Sequence, residues 1–327
     1  MRTLVTGGAG YVGSHMVNAL TAAGHDVVVV DDLSTGHRDA VPPAVTLIEA
    51  DVASTSTMTA ILRDHRIEAV CNFAAKISVE ESVSDPRLYW HGNVTTTLAL
   101  LEAVLSAGTI KAFVQSSTAA VYGSPDEVPI DEDHPKRPES PYGQTKLAVE
   151  RALESYGLAY SLPWAALRYF NAAGAEPTKG LGERHDPETH LIPLVLEAAS
   201  GKRDHIKVYG TSWPTPDGTC VRDYVHVSDL CEAHLAALTH LASGGASGAF
   251  NLGSGTGNSV RELIEVARTV TGRPITAVDA PPRAGDPPTL VAKVDRAAKV
   301  LGWRATRTDL SRIIGDAWAW KLRAEQG

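Results

Sequence analysis

The chain has 327 residues, a formal net charge of −8, 43% apolar residues and 21% charged residues. This composition is typical of a globular protein large enough for two packed lobes, and it excludes a disordered or fibrous chain. No run is rich in lysine or arginine, which argues against nucleic acid or an anionic membrane as the main partner.

The N-terminus and the cysteines bear on the location of the protein and on metal binding. A strand-like run follows Met1 almost directly and leaves no room for a signal peptide, and no apolar run approaches the ~20 residues of a membrane-spanning helix. We therefore expect a cytoplasmic protein. Cys71, Cys220 and Cys231 are widely spaced, so we expect buried packing residues, no disulfide framework and no metal site.

From Arg2 to about Asn171, short apolar runs alternate with longer helix-like stretches. This alternation predicts an α/β fold with a doubly wound parallel sheet of the Rossmann type. The predicted strands are residues 3–6, 26–30, 45–49, 69–73, 112–116 and 165–169, and the predicted crossover helices are residues 11–23, 57–64, 93–107 and 142–156.

Beyond residue 171 the sequence changes to a loop-rich stretch, residues 172–188, and then to segments punctuated by prolines. This texture predicts a second, smaller α/β lobe with loops over a cleft. Residues 228–241 and 248–252 are predicted to be a helix and a strand that return to the first lobe. The chain is therefore divided into a domain of residues 1–171, with a return segment near 228–252, and a lobe of residues 172–327.

A glycine-rich turn follows the first predicted strand and opens the first predicted helix. Its glycines leave space where a pyrophosphate would approach backbone N–H groups at a helix N-terminus, and the helix dipole favours the anion. The turn therefore predicts a dinucleotide site formed by Gly7, Gly10, Tyr11, Val12 and Gly13.

The second predicted strand leads into Asp31, about twenty residues after that turn. A carboxylate in this place accepts hydrogen bonds from the adenosine ribose and repels a 2′-phosphate, so NAD is favoured over NADP and residues 1–171 are predicted to be an NAD-binding domain. Arg38 is the one residue that weakens this preference. Asp51, just past the third strand, could bind the adenine edge, or could equally be a turn or cap residue.

Tyr142 and Lys146 lie one helical turn apart in a segment that begins with Ser140 as N-cap and Pro141 as first helical residue. The phenol and the ammonium therefore share one face of the predicted helix. A lysine cation would lower the tyrosine pKa from its usual ~10, which suits proton abstraction from an alcohol. An isolated pair of this kind is more simply a core aromatic and a solvated lysine, but the dinucleotide site favours a catalytic pair.

The chain resembles the extended short-chain dehydrogenase/reductase family nearly from end to end. The resemblance is carried by the glycine-rich turn, by Ser116-Ser117-Thr118, by Tyr142 with Lys146, and by residues 72–75, 118–123, 167–174, 189–193 and 214–224. The match is strongest with members that invert C4 of a hexose attached to UDP. The resemblance implies a tightly held NAD, a UDP-hexose substrate, interconversion of UDP-galactose and UDP-glucose, and a homodimer joined through the helices near 93–107 and 142–156.

The resemblance also implies a role for each residue of the site. Tyr142 would be the base on the C4 hydroxyl, Lys146 would lower its pKa and contact the nicotinamide ribose, and Thr118 would hydrogen-bond the same sugar oxygen. The other cofactor-binding residues that it implies are Asp32, Asp51, Val52, Phe73, Ala74, Ala75, Asn93, Ser116 and Tyr169. The substrate-binding residues that it implies are Thr118, Asn171, His190, Leu191, Tyr209, Arg222, Arg283 and Asp286, with the two arginines on the diphosphate.

The chain departs from the family pattern at several positions. Thr118 replaces a serine of many such enzymes, which keeps the hydroxyl. Ile77 stands where some relatives have a cofactor-contacting lysine, so Lys76, one place earlier, is not assigned to the site. His190 replaces an asparagine of part of the family. Leu290 stands where the bulk beside the hexose varies, which leaves the acceptance of N-acetylated sugars open.

Three other functions are weighed against this one. A sugar-nucleotide 4,6-dehydratase shares the fold, NAD, the threonine and the Tyr/Lys pair, but such enzymes carry Asp-Glu directly after the threonine. Here Ala119 and Ala120 fill those places and can transfer no proton. A non-catalytic NAD-sensing or scaffold protein is disfavoured because Thr118, Tyr142 and Lys146 are all retained. A 4-epimerase of a UDP-N-acetylhexosamine, UDP-pentose or UDP-uronic acid stays open.

Overall fold

A computed structural model describes residues 1–283 and 286–325 of the chain. The strands in these ranges are β1 (Arg2–Thr6), β2 (Asp26–Asp31), β3 (Thr46–Glu49), β4 (Ala69–Asn72), β5 (Ala112–Thr118), β6 (Trp164–Tyr169), β7 (Asn171–Ala173), β8 (Ile206–Tyr209), β9 (Val221–Arg222), β10 (Tyr224–His226), β11 (Gly248–Leu252), β12 (Asn258–Ser259), β13 (Ala277–Ala280) and β14 (Thr289–Leu290). The α-helices are α1 (Tyr11–Ala22), α2 (Thr55–Asp64), α3 (Val79–Ser84), α4 (Pro86–Tyr89), α5 (Thr96–Ala107), α6 (Pro141–Tyr160), α7 (Leu191–Ala199), α8 (Val227–Ala242), α9 (Val260–Thr271) and α10 (Leu310–Ala324).

Seven strands form the main sheet, in the order β11-β6-β5-β4-β1-β2-β3, and all of their pairings are parallel. The chain runs outward from β1 to β3 on one side and from β4 to β6 on the other. The strand order therefore reverses between β1 and β4, where open α/β sheets bind their ligands at the carboxyl ends of the strands. The predicted doubly wound parallel sheet is confirmed.

Helices cover both faces of this sheet. On one face α1 and α8 bury apolar side chains such as Met16 and Leu238, and on the other α2, α5 and α6 bury side chains such as Leu62, Leu101 and Leu153. Burying one leucine side chain contributes about 1.5–3 kcal/mol. The two apolar faces therefore hold the sheet rigid and fix the strand ends that carry the site.

The second lobe has its own core, which contains Ile192, Leu263 and Ile313 from α7, α9 and α10 and lies against the parallel pair β8 and β13. Strand β11 pairs with β6 in the main sheet. Ala297 and Trp303, further along the chain, are also buried in the first core. The chain thus passes between the lobes more often than a single boundary describes, and the division after residue 171 stays a prediction.

The predicted strands and helices of the first lobe are present, with shifted ends. Strand β5 continues to Thr118, and α6 runs from Pro141 to Tyr160, with the Ser140 hydroxyl accepting a hydrogen bond from Gly143 N at 3.1 Å. The helix predicted from residue 93 begins as the π-helix Trp90–Thr95. Residues 172–188 are loop-rich as predicted, apart from the end of β7, which pairs with β10, and a short 3₁₀ helix at Pro177–Lys179. Within the described ranges, no helix has the length and apolar character needed to cross a bilayer.

Candidate active site

The turn between β1 and α1 can close only with glycine at two of its positions. Gly7 has a φ of 69°, and a Cβ added to it would lie 2.7 Å from Ala74 N. A Cβ on Gly13 would lie 2.0 Å from the Gly7 carbonyl oxygen. Gly10 is the N-cap of α1 and has no side chain to cap it, so the N–H groups at Tyr11 and Val12 begin the helix facing an anion site.

Asp31, at the end of β2, is bonded to this turn. Its nearly buried carboxylate accepts hydrogen bonds from Ala9 N and from Leu33 N, both at 2.9 Å. Burial raises the pKa of Asp31, while the two backbone N–H groups oppose the rise. A carboxylate has about four acceptor sites, so it can hold the turn and still accept from a ribose hydroxyl.

The acidic residues around Asp31 are spread along the same edge of the sheet. Asp32 and Asp51 accept backbone hydrogen bonds from Ser34 and Ala53. Asp51 thus takes part in a turn, and its contact with the adenine edge stays a prediction. Val52 is buried in the core beneath. Arg38 pairs with Glu49 at 2.5 Å on the surface. Its guanidinium is thus engaged by a carboxylate, which removes the main objection to NAD.

The strands β5 and β6 and the helix α6 bring Thr118, Tyr142 and Lys146 together. Lys146 is buried, its Nζ lies 6.0 Å from the centroid of the Tyr142 ring, and it donates a hydrogen bond to the Ser116 carbonyl at 3.1 Å. The Thr118 hydroxyl accepts from Ala120 N at 3.1 Å and lowers the pKa of Tyr142. Ser116 therefore positions the lysine, and Thr118 lies beside the phenol.

In the protein without ligands, burial dominates the pKa values of both Tyr142 and Lys146. Burial raises the pKa of Tyr142, and only the Thr118 hydroxyl opposes the rise. Burial also lowers the pKa of Lys146 to about 8, with Glu150 opposing. Only the protonated lysine can stabilise a phenolate, so the lowering of the tyrosine pKa by Lys146 stays a prediction. The sequence could not reveal how deeply both groups are buried.

Asn93, in the π-helix, joins the segment after β4 to α6. Its carbonyl accepts from Lys76 N at 2.7 Å, and its amide donates to the Lys76 carbonyl at 3.1 Å and to Thr145 Oγ1 at 3.0 Å. Both amide hydrogens are thus used within the protein. Asn93 positions the half-buried Phe73, Ala74 and Ala75 beside the glycine turn, instead of presenting its amide to a ligand.

Tyr169 ends β6, and its hydroxyl lies 2.7 Å from His234 Nε2. His234 Nδ1 lies 2.8 Å from the Leu230 carbonyl, so Nδ1 carries the proton and Nε2 accepts from the tyrosine. The Phe73 ring packs against His234 at 4.9 Å between centroids. Tyr169 is therefore fixed to α8 through its hydroxyl, and only its ring is left for the predicted cofactor contact.

A buried ion pair close to the predicted catalytic residues was not expected from the sequence. Arg168 donates to both Glu150 oxygens, at 2.9 and 2.6 Å, and Ser117 Oγ donates to the same carboxylate at 2.5 Å. Glu150 lies one turn beyond Lys146 on α6. A charged residue within the apolar run of β6, and a carboxylate four residues after the lysine, were the signals that could have revealed the pair.

Four of the predicted substrate residues form two pairs in the second lobe. Arg222, on β9, lies 3.4 Å from the Asp286 carboxylate, and the Arg283 guanidinium stacks over the Tyr209 ring at 4.0 Å from its centroid. Strand β14 pairs with β9, which brings Asp286 near Arg222. Asn171 donates its amide and its backbone N–H to the backbone carbonyl of Asp223, at 3.1 and 3.0 Å.

His190 and Leu191 lie elsewhere in the second lobe, at the start of α7. His190 is the N-cap of that helix, and Leu191 is its first residue. His190 Nδ1 faces Glu183 at 2.8 Å. Its imidazole is thus directed at the segment before α7. The replacement of asparagine by histidine gave no reason to expect this contact.

The fold and the site define a dinucleotide-binding enzyme of the short-chain dehydrogenase/reductase type. The family model described as "NAD dependent epimerase/dehydratase family" matches residues 3–253, and the chain belongs to that family. The chain is 50% identical, over 98% of its length and 95% of the relative's, to a Corynebacterium glutamicum protein named UDP-glucose 4-epimerase.

Solved structures agree with this relationship. UDP-glucose 4-epimerase from Brucella ovis in complex with NAD is 44% identical, with a TM-score of 0.94 over 97% of each chain. UDP-glucose-4-epimerase from Stenotrophomonas maltophila, with bound NAD and formylated UDP-arabinopyranose, is 38% identical, with a TM-score of 0.96 over 100% of this chain and 99% of that one. The predicted family is confirmed.

Proposed function

We infer that the protein interconverts UDP-galactose and UDP-glucose by oxidation at C4, rotation of the 4-keto sugar and reduction on its other face. The observation that carries this inference is that Thr118, Tyr142 and Lys146 meet at the carboxyl edge of the sheet, where the glycine turn fits a dinucleotide. NAD, when bound there, supplies the reversible hydride acceptor and the positive charge of its oxidised ring.

Tyr142 is the base that takes the proton from the C4 hydroxyl. Because burial raises its pKa, it needs positive charge nearby before it can ionise near neutral pH. Lys146, with a pKa of about 8, is mostly protonated at pH ~7 and supplies one such charge. Thr118 contacts the phenol and can hydrogen-bond the same sugar oxygen.

Inversion requires a firm hold on UDP and a loose hold on the hexose. Arg222 and Arg283 are the groups for the diphosphate, because a guanidinium can pair with two oxygens at once. In the protein without substrate, Arg222 pairs with Asp286 and Arg283 stacks on the Tyr209 ring. A diphosphate carries more negative charge and can replace both contacts. The arginines therefore hold the nucleotide while the 4-keto sugar turns.

Two features favour an epimerase of UDP-hexoses over its alternatives. Ala119 and Ala120 lie in a short 3₁₀ turn directly after Thr118 and offer no acid or base, as elimination of water would require. Leu290, like Phe170, packs against the cluster that contains Ala119, the residue after Thr118. We propose that this bulk favours plain hexoses over N-acetylated ones.

The homodimer is proposed on the apolar residues that α3 to α6 expose. The exposed large apolar side chains of this stretch are Val79, Val83, Trp90, Leu98, Leu158 and Tyr160. Exposed apolar side chains mark a protein interface where they form a continuous patch. Sedimentation of the purified protein at micromolar concentration should give the mass of two chains, and a monomer would exclude the proposal. A cytoplasmic location stays a prediction from the sequence.

The activity is tested by incubating the purified protein with UDP-galactose, without added cofactor, and separating the nucleotide sugars by chromatography. We expect UDP-glucose at the same equilibrium ratio from either direction. A 4-keto-6-deoxy product, or no conversion by protein that retains NAD, would contradict the proposed function. UDP-N-acetylglucosamine and UDP-xylose, tested in parallel, separate the plain-hexose epimerase from the other 4-epimerases.

A further inference from the structure

Four side chains with metal-binding atoms converge in the segment before α7, outside the catalytic site. They are Glu183, His185, Glu188 and His190, and one ligand atom of each lies within 4.8 Å of all the others. The two glutamate side chains are only 8% and 7% exposed. Two carboxylates buried so close together repel each other and require a compensating cation.

The nitrogen–oxygen distances in this cluster are similar to those between neighbouring ligands of a zinc ion. His190 Nδ1 lies 2.8 Å from Glu183 Oε1 and 3.3 Å from Glu188 Oε1, and His185 Nδ1 lies 3.3 Å from Glu183 Oε1 and 3.7 Å from Glu188 Oε2. Ligands at the ~2.0–2.1 Å of zinc–nitrogen and zinc–oxygen bonds are about 3.3–3.4 Å apart in a tetrahedron. The four nitrogen–oxygen separations lie around that value, and the two that involve Glu188 are measured to different oxygens of its carboxylate.

The nitrogen of His185 is close to the carboxylates without being bonded to them. Among the residues that the structure describes, none is hydrogen-bonded to the buried His185 Nδ1. Thr189 N and His190 N both donate to Glu188 Oε1, at 2.7 and 2.8 Å, and so fix the orientation of that carboxylate. Backbone hydrogen bonds of this kind orient metal ligands from the outer shell.

We propose that Glu183, His185, Glu188 and His190 bind one divalent transition-metal ion of the zinc type. Two imidazole nitrogens with two carboxylate oxygens suit zinc, cobalt or nickel better than magnesium or calcium, which prefer oxygen ligands alone. Four protein ligands fill a tetrahedral shell, so the ion is structural and does not activate water.

The site fastens a segment that bridges the two lobes. Arg184, between two of the ligands, pairs with Asp39 of the first lobe at 2.5 Å, and its carbonyl lies 3.2 Å from His37 Nε2. His190 is also the N-cap of α7, next to the predicted substrate residue Leu191. The metal would thus hold Arg184 against the NAD-binding lobe and fix the start of α7.

Protonated histidines are the alternative partner for the glutamates. Burial lowers the pKa of His185 and His190, but Glu183 and Glu188 outweigh it and raise these pKa values to about 9 and about 10. A cluster of ion pairs of this kind would bind no metal. The metal site and the cluster of ion pairs can be distinguished with cobalt. Only the metal site takes up a cobalt ion with four protein ligands.

The test is to strip the full-length protein with a chelator and to titrate it with Co²⁺. We expect one equivalent per chain with the intense visible absorption of tetrahedral cobalt, displaced by Zn²⁺. His185→Ala and Glu183→Gln should lose this absorption, and His91→Ala, which removes an exposed histidine far along the chain, should keep it.

Trypsin cleavage after Arg184 provides a second measurement that needs no cobalt. Zn²⁺ should slow this cleavage in the unaltered protein and not in His185→Ala. Two results would overturn the proposal: a weak octahedral spectrum or no binding in the unaltered protein, or a tetrahedral spectrum that His185→Ala retains. Because the first of these is measured on the unaltered protein, a variant that fails to fold does not prevent the decision.

Discussion

Glu150 lies one helical turn beyond Lys146 on α6, and its carboxylate is the charge that opposes the loss of the lysine proton. Both side chains are buried, and Arg168 holds the carboxylate through two hydrogen bonds. The protonation of Lys146, the predicted partner of the base, therefore depends on a carboxylate that is itself bound by Arg168.

Glu150→Gln should move the alkaline limb of the activity profile to lower pH. The pKa of Lys146 is already lowered to about 8, so its ammonium is lost as the pH rises through that value, and removing Glu150 lowers the pKa further. Activity profiles from pH ~6 to ~10 measure the shift. Glu154→Gln, which removes an exposed carboxylate of the same helix, is the matched control. Identical profiles for both variants would contradict this role of Glu150.

Lys146→Met should abolish turnover and stabilise the fold near neutral pH. Lowering the pKa from 10.5 to about 8 corresponds to a buried charge that destabilises the folded state by about 3 kcal/mol. This destabilisation is fully present below the folded pKa and disappears as the pH rises towards the unfolded value. Urea unfolding should therefore show a gain at pH ~7 that shrinks by pH ~10. A loss of stability at pH ~7 would contradict the argument.

Gly13→Ala should prevent NAD binding and destabilise the protein. The added Cβ would lie 2.0 Å from the Gly7 carbonyl oxygen, a backbone atom that cannot move without opening the turn. The absorbance of released NAD and the thermal midpoint of unfolding measure the two effects. Gly248→Ala, where an added Cβ meets nothing within 4 Å, should change neither. Retention of NAD by Gly13→Ala would show that the cofactor does not use this turn.

Arg222→Ala should raise KM for UDP-galactose by roughly 10–100-fold with a smaller effect on kcat, because it removes a charged hydrogen bond to the nucleotide that is made throughout the reaction. Initial rates over a range of substrate concentrations separate the two constants. Arg261→Ala, which removes an arginine paired with Asp279 on the surface of the same lobe, is the control. An unchanged KM for Arg222→Ala would remove this residue from the diphosphate site.

The features that the sequence predicted correctly depend on neighbours in the chain. The glycine turn and the Ser140 cap have local signals, since steric space and hydrogen bonds within a few residues decide them. The Glu150–Arg168 pair joins residues from different elements. The raised pKa of Tyr142 depends on burial by distant parts of the chain.

The segment before α7 also has an arrangement that the sequence did not predict, although its residues are close together in the chain. Glu183, His185, Glu188 and His190 are neighbours in sequence, yet no standard motif connects them, and the cysteine spacing led to the expectation of no metal site. Their convergence requires the particular loop that packs Arg184 against Asp39. The path of this loop, which also contacts the other lobe through Arg184, is not encoded by any local pattern in the sequence.

Tyr142→Phe separates the base from the binding of the cofactor. Removing the phenol oxygen should lower turnover by about 10²–10⁴-fold, because no other group takes the C4 proton, while NAD stays bound. Thr118→Ser, which keeps the hydroxyl beside the phenol, should retain most of the activity. The conversion rate and the NAD content of each purified variant provide the comparison. Turnover by Tyr142→Phe at the original rate would show that another residue is the base.

In the proposed reaction, hydride leaves C4 and returns to C4 within one protein molecule. UDP-galactose carrying deuterium at C4 should be converted to UDP-glucose that still carries deuterium at C4, as followed by NMR and mass spectrometry in ordinary water without added cofactor. Loss of the deuterium to solvent, or its appearance at another carbon, would contradict a reversible oxidation at C4 by Tyr142 and bound NAD.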